Sequence, residues 1–333
     1  MDIRWIYRLN MATVEGQIGK QAARRQNVWL SRLVDANSSH HTRRALTGYL
    51  FALPWIVGLV VFWGGPILAS FYLSFTEYGI PGSPTFTGFT NYIHAITKDD
   101  LFWPSLRRTF TFSLVFVPTT ITGALVLAVF LNQKLKGTNI YRTIFFIPHL
   151  LPAVAIAVLW SYLLAPRLGP VNYFLRGIGI TNPPNWLSSR DSVLYTIMMI
   201  NVWAAVGGNT MLIFLAGLQG ISEELYEAAQ IDGAGPWTKF LRITLPLLSP
   251  TIFFNSVLTI IASLKVFTTA FVTTQGGPSY GSWFFALHIY MHAFQYFRLG
   301  YASALAWILG LILIAFTLFQ VWYSRRWVHY EGR

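Results

Sequence analysis

Residues 221–247 read ISEELYEAAQIDGAGPWTKFLRITLPL, a polar island set between two long apolar runs. Ser222 is a good N-cap, and Glu223 and Glu224 fall in the first turn, where carboxylates favour the positive helix end. Gly233, with Gly235 and Pro236 close behind, stops the helix. The spacing therefore predicts a short helix over 222–232, about three turns long. Leu225, Ala228 and Ala229 share a face at i, i+3, i+4, with Glu227 and Gln230 to the side. Pro236 opens a second segment in which Trp237, Phe240 and Leu241 repeat that spacing until Leu245-Pro246 ends it. The two alanines would let another surface come close. By periodicity alone the island also reads as an amphipathic connector lying on a membrane.

The chain around the island is apolar. Of 333 residues, 54% are hydrophobic and 11% charged, with mean hydropathy +0.49, whereas a soluble domain carries about 25% charged residues. A span needs about 20 apolar residues. Six stretches qualify: 46–75, 109–132, 143–165, 192–217, 250–274 and 301–324. The expected fold class is an all-α membrane protein with six transmembrane helices, the island lying between spans four and five. The domain reading is a basic N-terminal arm over 1–45, a transmembrane domain over 46–325 and a tail over 326–333. Residues 1–45 hold no long apolar core, so the first span would act as its own signal anchor.

Charge sets the expected orientation. With both termini cytoplasmic, the inner segments hold 16 of the 24 Lys and Arg and the outer segments seven, leaving Lys265 inside the fifth span. That asymmetry favours both ends inside and puts residues 221–247 in the cytoplasm. The net charge of +12 points to anionic lipid headgroups rather than nucleic acid, because the basic residues flank apolar spans. Zero cysteines exclude disulfides and thiol chemistry.

No catalytic motif is present. The chain has no phosphate-binding Gly-x-x-x-x-Gly-Lys-Ser/Thr and no His-Glu-x-x-His. His288 and His292 stand four apart, but no nearby carboxylate completes a metal site, so none is expected. His149, beside Pro148, reads as a polar contact within the bundle. Ion-coupled transporters mark their path with acidic residues inside the spans, and these six contain essentially none. Lys265 reads as a cation that snorkels or faces a wet cavity. Asn201, Asn209, Asn255, Thr259 and Ser263 are the polar candidates for a solute path, with Thr259, Ser263 and Val266 near one face. Helix–helix hydrogen bonding is the competing role for each.

Glu227-Ala228-Ala229, three residues, Gly233, nine residues, Ile243, one residue and Leu245-Pro246 form a pattern that resembles the signature loop of ABC-importer permeases, with Asp232 and Ala234 fitting its Asp-Gly-Ala core. Thr87 to Tyr92 before Phe102-Trp103, Arg142 to Pro148, Gly169 to Asn172, Gln275 to Pro278 and Gly300 to Ala304 resemble the carbohydrate-importer branch, so the likeness covers about residues 46–325. It implies the permease subunit of a binding-protein-dependent sugar importer of the maltose, trehalose and oligosaccharide type, in a bacterial or archaeal inner membrane.

The implied partners are a second permease chain forming a heterodimer with this one, two ATPase subunits carrying ATP and Mg, an extracytoplasmic solute-binding protein and membrane lipid. The chain itself would bind no cofactor. The resemblance assigns ATPase coupling to Glu227, Ala228, Ala229, Asp232 and Gly233, and the sugar-lining path to Asn209, Thr259, Ala262, Ser263 and Val266. Two other readings stay open: an ABC permease for another solute, such as glycerol phosphate or a polyamine, with Lys265 suiting an anion, and an ion-coupled transporter or channel working alone.

Overall fold

The computed structural model describes residues 47–133 and 136–328; the arm over 1–45 and most of the tail lie outside the described residues. The chain divides into two units, Met1–Ala69 and Ser70–Arg333. The first contributes most of helix α1 (Thr47–Ser74), whose most apolar stretch has no buried residue. Tyr49, Phe51, Trp55, Phe62 and Trp63 are all exposed along it. A helix apolar on every side suits lipid or a neighbouring chain.

The second unit is a helical bundle whose column is α3 (Phe102–Leu131). Before it come a two-residue antiparallel ladder, β1 (Thr76–Glu77) with β2 (Thr85–Phe86), and α2 (Thr90–Thr97). The second span thus starts at Phe102, two turns earlier than the expected 109. Arg107 and Arg108 lie in its second turn, where long basic side chains are tolerated at a membrane edge. The third span is not one rod. It divides into α4 (Thr138–Leu150) and α5 (Ala153–Leu163), bent by 94°. Leu151 precedes Pro152 and is extended, with ψ of 140°, because a residue before proline is pushed out of the helical region. Among the described residues, five helices are long and apolar enough to cross a membrane, and this bent pair makes a sixth crossing if it counts as one span.

After α6 (Pro170–Gly177), the fourth span runs as α7 (Arg190–Val206) and α8 (Asn209–Gln219), with Gly207 and Gly208 at the joint. A Cβ on Gly207 would lie 2.0 Å from the Phe145 carbonyl oxygen, and one on Gly208 would lie 2.5 Å from His149 Nδ1. Only glycine lets α4 cross here. The polar island supplies α9 (Glu223–Ile231) and α10 (Pro236–Lys239). The helical path continues through Thr244 and Leu245–Leu247 instead of ending at Leu245-Pro246, since proline is tolerated in the first turn of a new helix. The fifth span is α11 (Ser249–Leu264) and α12 (Thr268–Thr274), followed by α13 (Phe285–Tyr290) and the last span, α14 (Leu299–Ser324).

Three apolar clusters lie along α3. Ala124, Leu125 and Ala128 meet Met211, Phe214 and Leu248 near the island. Phe112 and Phe116 meet Val193, Ile197, Val266 and Phe284 in the middle. At the far end Phe102 joins Ala95, Phe285, Tyr301 and Leu305.

Candidate functional site

The island folds as its sequence dictates. Ser222 Oγ accepts the amide of Glu224 at 3.2 Å, satisfying one of the orphan donors at the helix start. At the other end the Ala234 amide donates to the Ala229 carbonyl at 2.8 Å and the Gly233 amide to that of Gln230 at 3.1 Å. Gly233 has φ of +79°. This is the Schellman closure, which favours glycine at the left-handed position.

Orientation comes from one side chain that spacing did not single out. Tyr226 packs against the cluster of Leu218, Ile221 and Leu248, and its hydroxyl lies 2.9 Å from Thr244 Oγ1. Lys239 Nζ reaches Gln230 Oε1 at 3.4 Å. With Tyr226 inward, Glu223, Glu224, Leu225, Glu227, Ala228 and Asp232 are exposed and Ala229 is half-buried. Ile231 is 87% exposed and Trp237 70%. Large apolar side chains next to carboxylates, on a helix held from behind, form a surface that another body can grip.

The candidate path positions of the spans separate into two sets. Thr259, Ser263 and Val266 are buried. Ser263 Oγ pairs with Ser113 Oγ at 2.5 Å, and Val266 packs with Phe112 and Phe116. Asn255 donates toward the Thr210 carbonyl at 3.5 Å, and Thr269 Oγ1 donates to Asn201 Oδ1 at 3.3 Å. Asn209 and Ala262 are exposed instead. Asn209 opens α8 just after the Gly207–Gly208 joint, while Lys265, also exposed, caps the C-terminal end of α11 where that span breaks. A cation there meets unpaired carbonyls and the negative end of the helix. Sequence hydropathy signalled neither break.

At the opposite end from the island a carboxylate does reach the two histidines, contrary to expectation. It is Asp99, 189 residues away from His288, brought in by the turn between α2 and α3. The ligand-capable atoms of Asp99, His288 and His292 lie within 4.8 Å of one another. Trp283 Nε1 donates to His288 Nδ1 at 3.0 Å. Since an indole N–H only donates, His288 carries its proton on Nε2, which donates to Asp99 Oδ2 at 2.8 Å. The Tyr301 hydroxyl donates to that same oxygen and the Leu101 amide to Oδ1. A metal at His288 Nε2 would displace both that proton and the Trp283 contact, so the geometry is that of a hydrogen-bonded clasp. Burial alone would raise the Asp99 carboxyl, but the bonds from His288 and Tyr301 outweigh it and hold the group well below the usual carboxylate range. Burial, with His288 beside it, pushes His292 down to about 4.

Residues 120–329 match the family described as "Binding-protein-dependent transport system inner membrane component". The chain is 40% identical over 291 residues to the probable ABC transporter permease protein YesP of Bacillus subtilis, covering 86% of this chain and 93% of that one. It is 35% identical over 281 residues to the trehalose/maltose transport system permease protein MalF of Thermococcus litoralis, covering 83% and 92%. Among solved structures, a bacterial ABC transporter involved in import of the acidic polysaccharide alginate superposes with TM-score 0.76 at 25% identity, over 85% of this chain and 96% of that one. The chain therefore belongs to the inner-membrane permeases of binding-protein-dependent ABC importers, the family that also holds that trehalose/maltose permease, and is a transport subunit rather than an enzyme.

Proposed function

We propose that this permease passes a carbohydrate, a di- or oligosaccharide, inward by alternating access, driven by two cytoplasmic ATPases that hold ATP and Mg and fed by an extracytoplasmic solute-binding protein. A second permease chain completes the path. The observation that carries this reading is α9: a capped helix, anchored through Tyr226, that presents Leu225, Glu227, Ala228 and Ile231 outward. A chain without nucleotide chemistry moves only if a partner binds its conformations unequally. In this reading Glu227 makes the polar contact to the ATPase, Ala228 and Ala229 allow close approach, and Asp232 with Gly233 makes the turn.

The sugar reading rests on the named relatives and on neutral polar groups in the spans. Asn209 and Ala262 face the path, and Thr259, Ser263 and Val266 form the wall behind it. Exposed Lys265 at the break of the fifth span favours a second reading, an anionic solute such as glycerol phosphate, because intramembrane charges mark solute paths. Both termini are assigned to the cytoplasm, with residues 46–325 as the transmembrane domain.

Co-purification with the ATPases in gentle detergent, followed by ATPase assays with the binding protein and candidate solutes, tests the assignment. Stimulation by an oligosaccharide supports it. Stimulation by glycerol phosphate, lost in Lys265→Gln, selects the anion reading, and solute uptake by the purified chain alone, without ATP, overturns both.

A further inference from the structure

Three guanidinium groups converge at the end of the bundle opposite α9. Arg107 and Arg108 lie in the second turn of α3, and Arg190 is the first residue of α7; together with Trp103 they line a cavity of about 510 Å³ that contains no acidic side chain. Among the described residues none of the three has an ion-pair or hydrogen-bond partner for its guanidinium, and Arg108 Nη1 is buried without one. Asp191 follows Arg190 in sequence but is exposed and does not line the cavity. Three like charges with one buried donor left empty form a site short of an anion.

A second cavity adjoins it through shared lining residues. Arg107 and Thr111 line both, and the second, of about 540 Å³, runs along α3 past Leu114 to Pro118, walled by Ile260 and Phe316. Below its mouth this groove is apolar apart from Ser113, whose hydroxyl is taken up by Ser263. From Arg107 to Pro118 the helix rises about 16 Å, close to half of the roughly 30 Å hydrocarbon core. A basic pocket that shares Arg107 and Thr111 with an apolar groove one leaflet deep has the polarity of one ligand. Trp103, 56% exposed, sits one turn above Arg107, the place an aromatic ring takes at a headgroup boundary.

We infer that this face holds an anionic phospholipid, its phosphate among Arg107, Arg108 and Arg190 and one acyl chain in the groove beside Leu114. The charge argues for the anionic headgroup, and the groove argues for a lipid over a soluble anion. Binding of this kind would fasten the starts of α3 and α7 to one leaflet. It does not depend on what solute is carried.

The test uses the purified full chain, delipidated in detergent and titrated by native mass spectrometry with dioleoyl phosphatidylglycerol, dioleoyl phosphatidylcholine and glycerol phosphate. Phosphatidylglycerol should bind about a hundredfold tighter than phosphatidylcholine, given about 1 kcal/mol for each basic residue near a charged headgroup. R107Q/R108Q/R190Q should abolish that preference, and Leu114→Trp, which fills the groove at an exposed position, should weaken phosphatidylglycerol alone. Each variant must melt as the wild type does; should the triple variant not fold, Arg190→Gln and Leu114→Trp carry the comparison. A preference that survives loss of the arginines overturns the proposal. So does glycerol phosphate binding as tightly as the lipid and indifferent to Leu114→Trp, which marks a soluble anion. Loss of lipid binding once the second permease chain is bound also overturns it, because the groove is then a subunit contact.

Discussion

At one end of the bundle, α9 is held by a hydroxyl pair between Tyr226 and Thr244 and a long contact between Lys239 and Gln230. At the other end Asp99 alone gathers His288, Tyr301 and the Leu101 amide, and Trp283 orients His288 in turn. The first end leaves Ile231 and Trp237 in the open; the second buries His288 to 1%. On the proposed reading, the α9 end keeps its contacts free for another protein, whereas the Asp99 end satisfies its polar groups internally. The comparison separates handling from holding, and it can be broken by experiment.

The largest effect is expected at the α9 end. Gly233→Pro removes the amide bonded to Gln230 and forbids the positive φ, and Glu227→Lys inverts the exposed charge. Both should abolish uptake while the protein stays in the membrane and melts normally. Uptake at the normal rate in both variants, or a collapse in melting temperature, would erase the distinction. Next is Asp99→Ala, which strands His288 and Tyr301 and should cost about 3 kcal/mol, read as a lower melting temperature of the purified chain. An unchanged melt would mean the clasp holds nothing.

Tyr226→Phe should cost about 1 kcal/mol and lower uptake without abolishing it, since packing against Ile221 and Leu248 remains. Uptake and melting both at wild-type values would leave the orientation of α9 unexplained. The smallest effect is a pH dependence at the clasp. Unfolded, His292 takes up a proton near pH 6.5; folded, it does so only near about 4. Between those values the unfolded chain binds more protons, so stability is complete above pH 6.5 and falls as the pH is lowered. The loss from pH 6.5 to 5.5 should be at most about 1 kcal/mol. His94, His288, Asp99 and Arg298 face the same ring and persist in His292→Phe, whose melting curves should nevertheless vary less with pH over this window.

Local patterns made the α9 end legible in the sequence. Ser222, Glu223, Glu224 and Gly233 act within one helix length of one another, and capping chemistry is local, so the helix and its boundaries were readable to within a residue. The holding end was not readable. Asp99 and His288 are far apart in the chain, and nothing in either neighbourhood names the other. The broken spans fall between these cases. Pro152 and the Gly207–Gly208 pair stand in plain view, but apolar membrane segments tolerate such residues without breaking, so the 94° bend and the crossing of α4 over Gly207 depend on what packs there.

By itself, then, the sequence determined the all-helical membrane class, the approximate spans, the family likeness and the short capped helix, because hydropathy and capping are properties of contiguous residues. Tertiary structure alone decided that Tyr226 turns inward and Ile231 outward, that Thr259, Ser263 and Val266 are buried while Asn209, Ala262 and Lys265 are exposed, and that Asp99 closes on His288. Each of those outcomes depends on which distant helix supplies the neighbour, and burial and hydrogen-bond satisfaction are settled only when the helices pack.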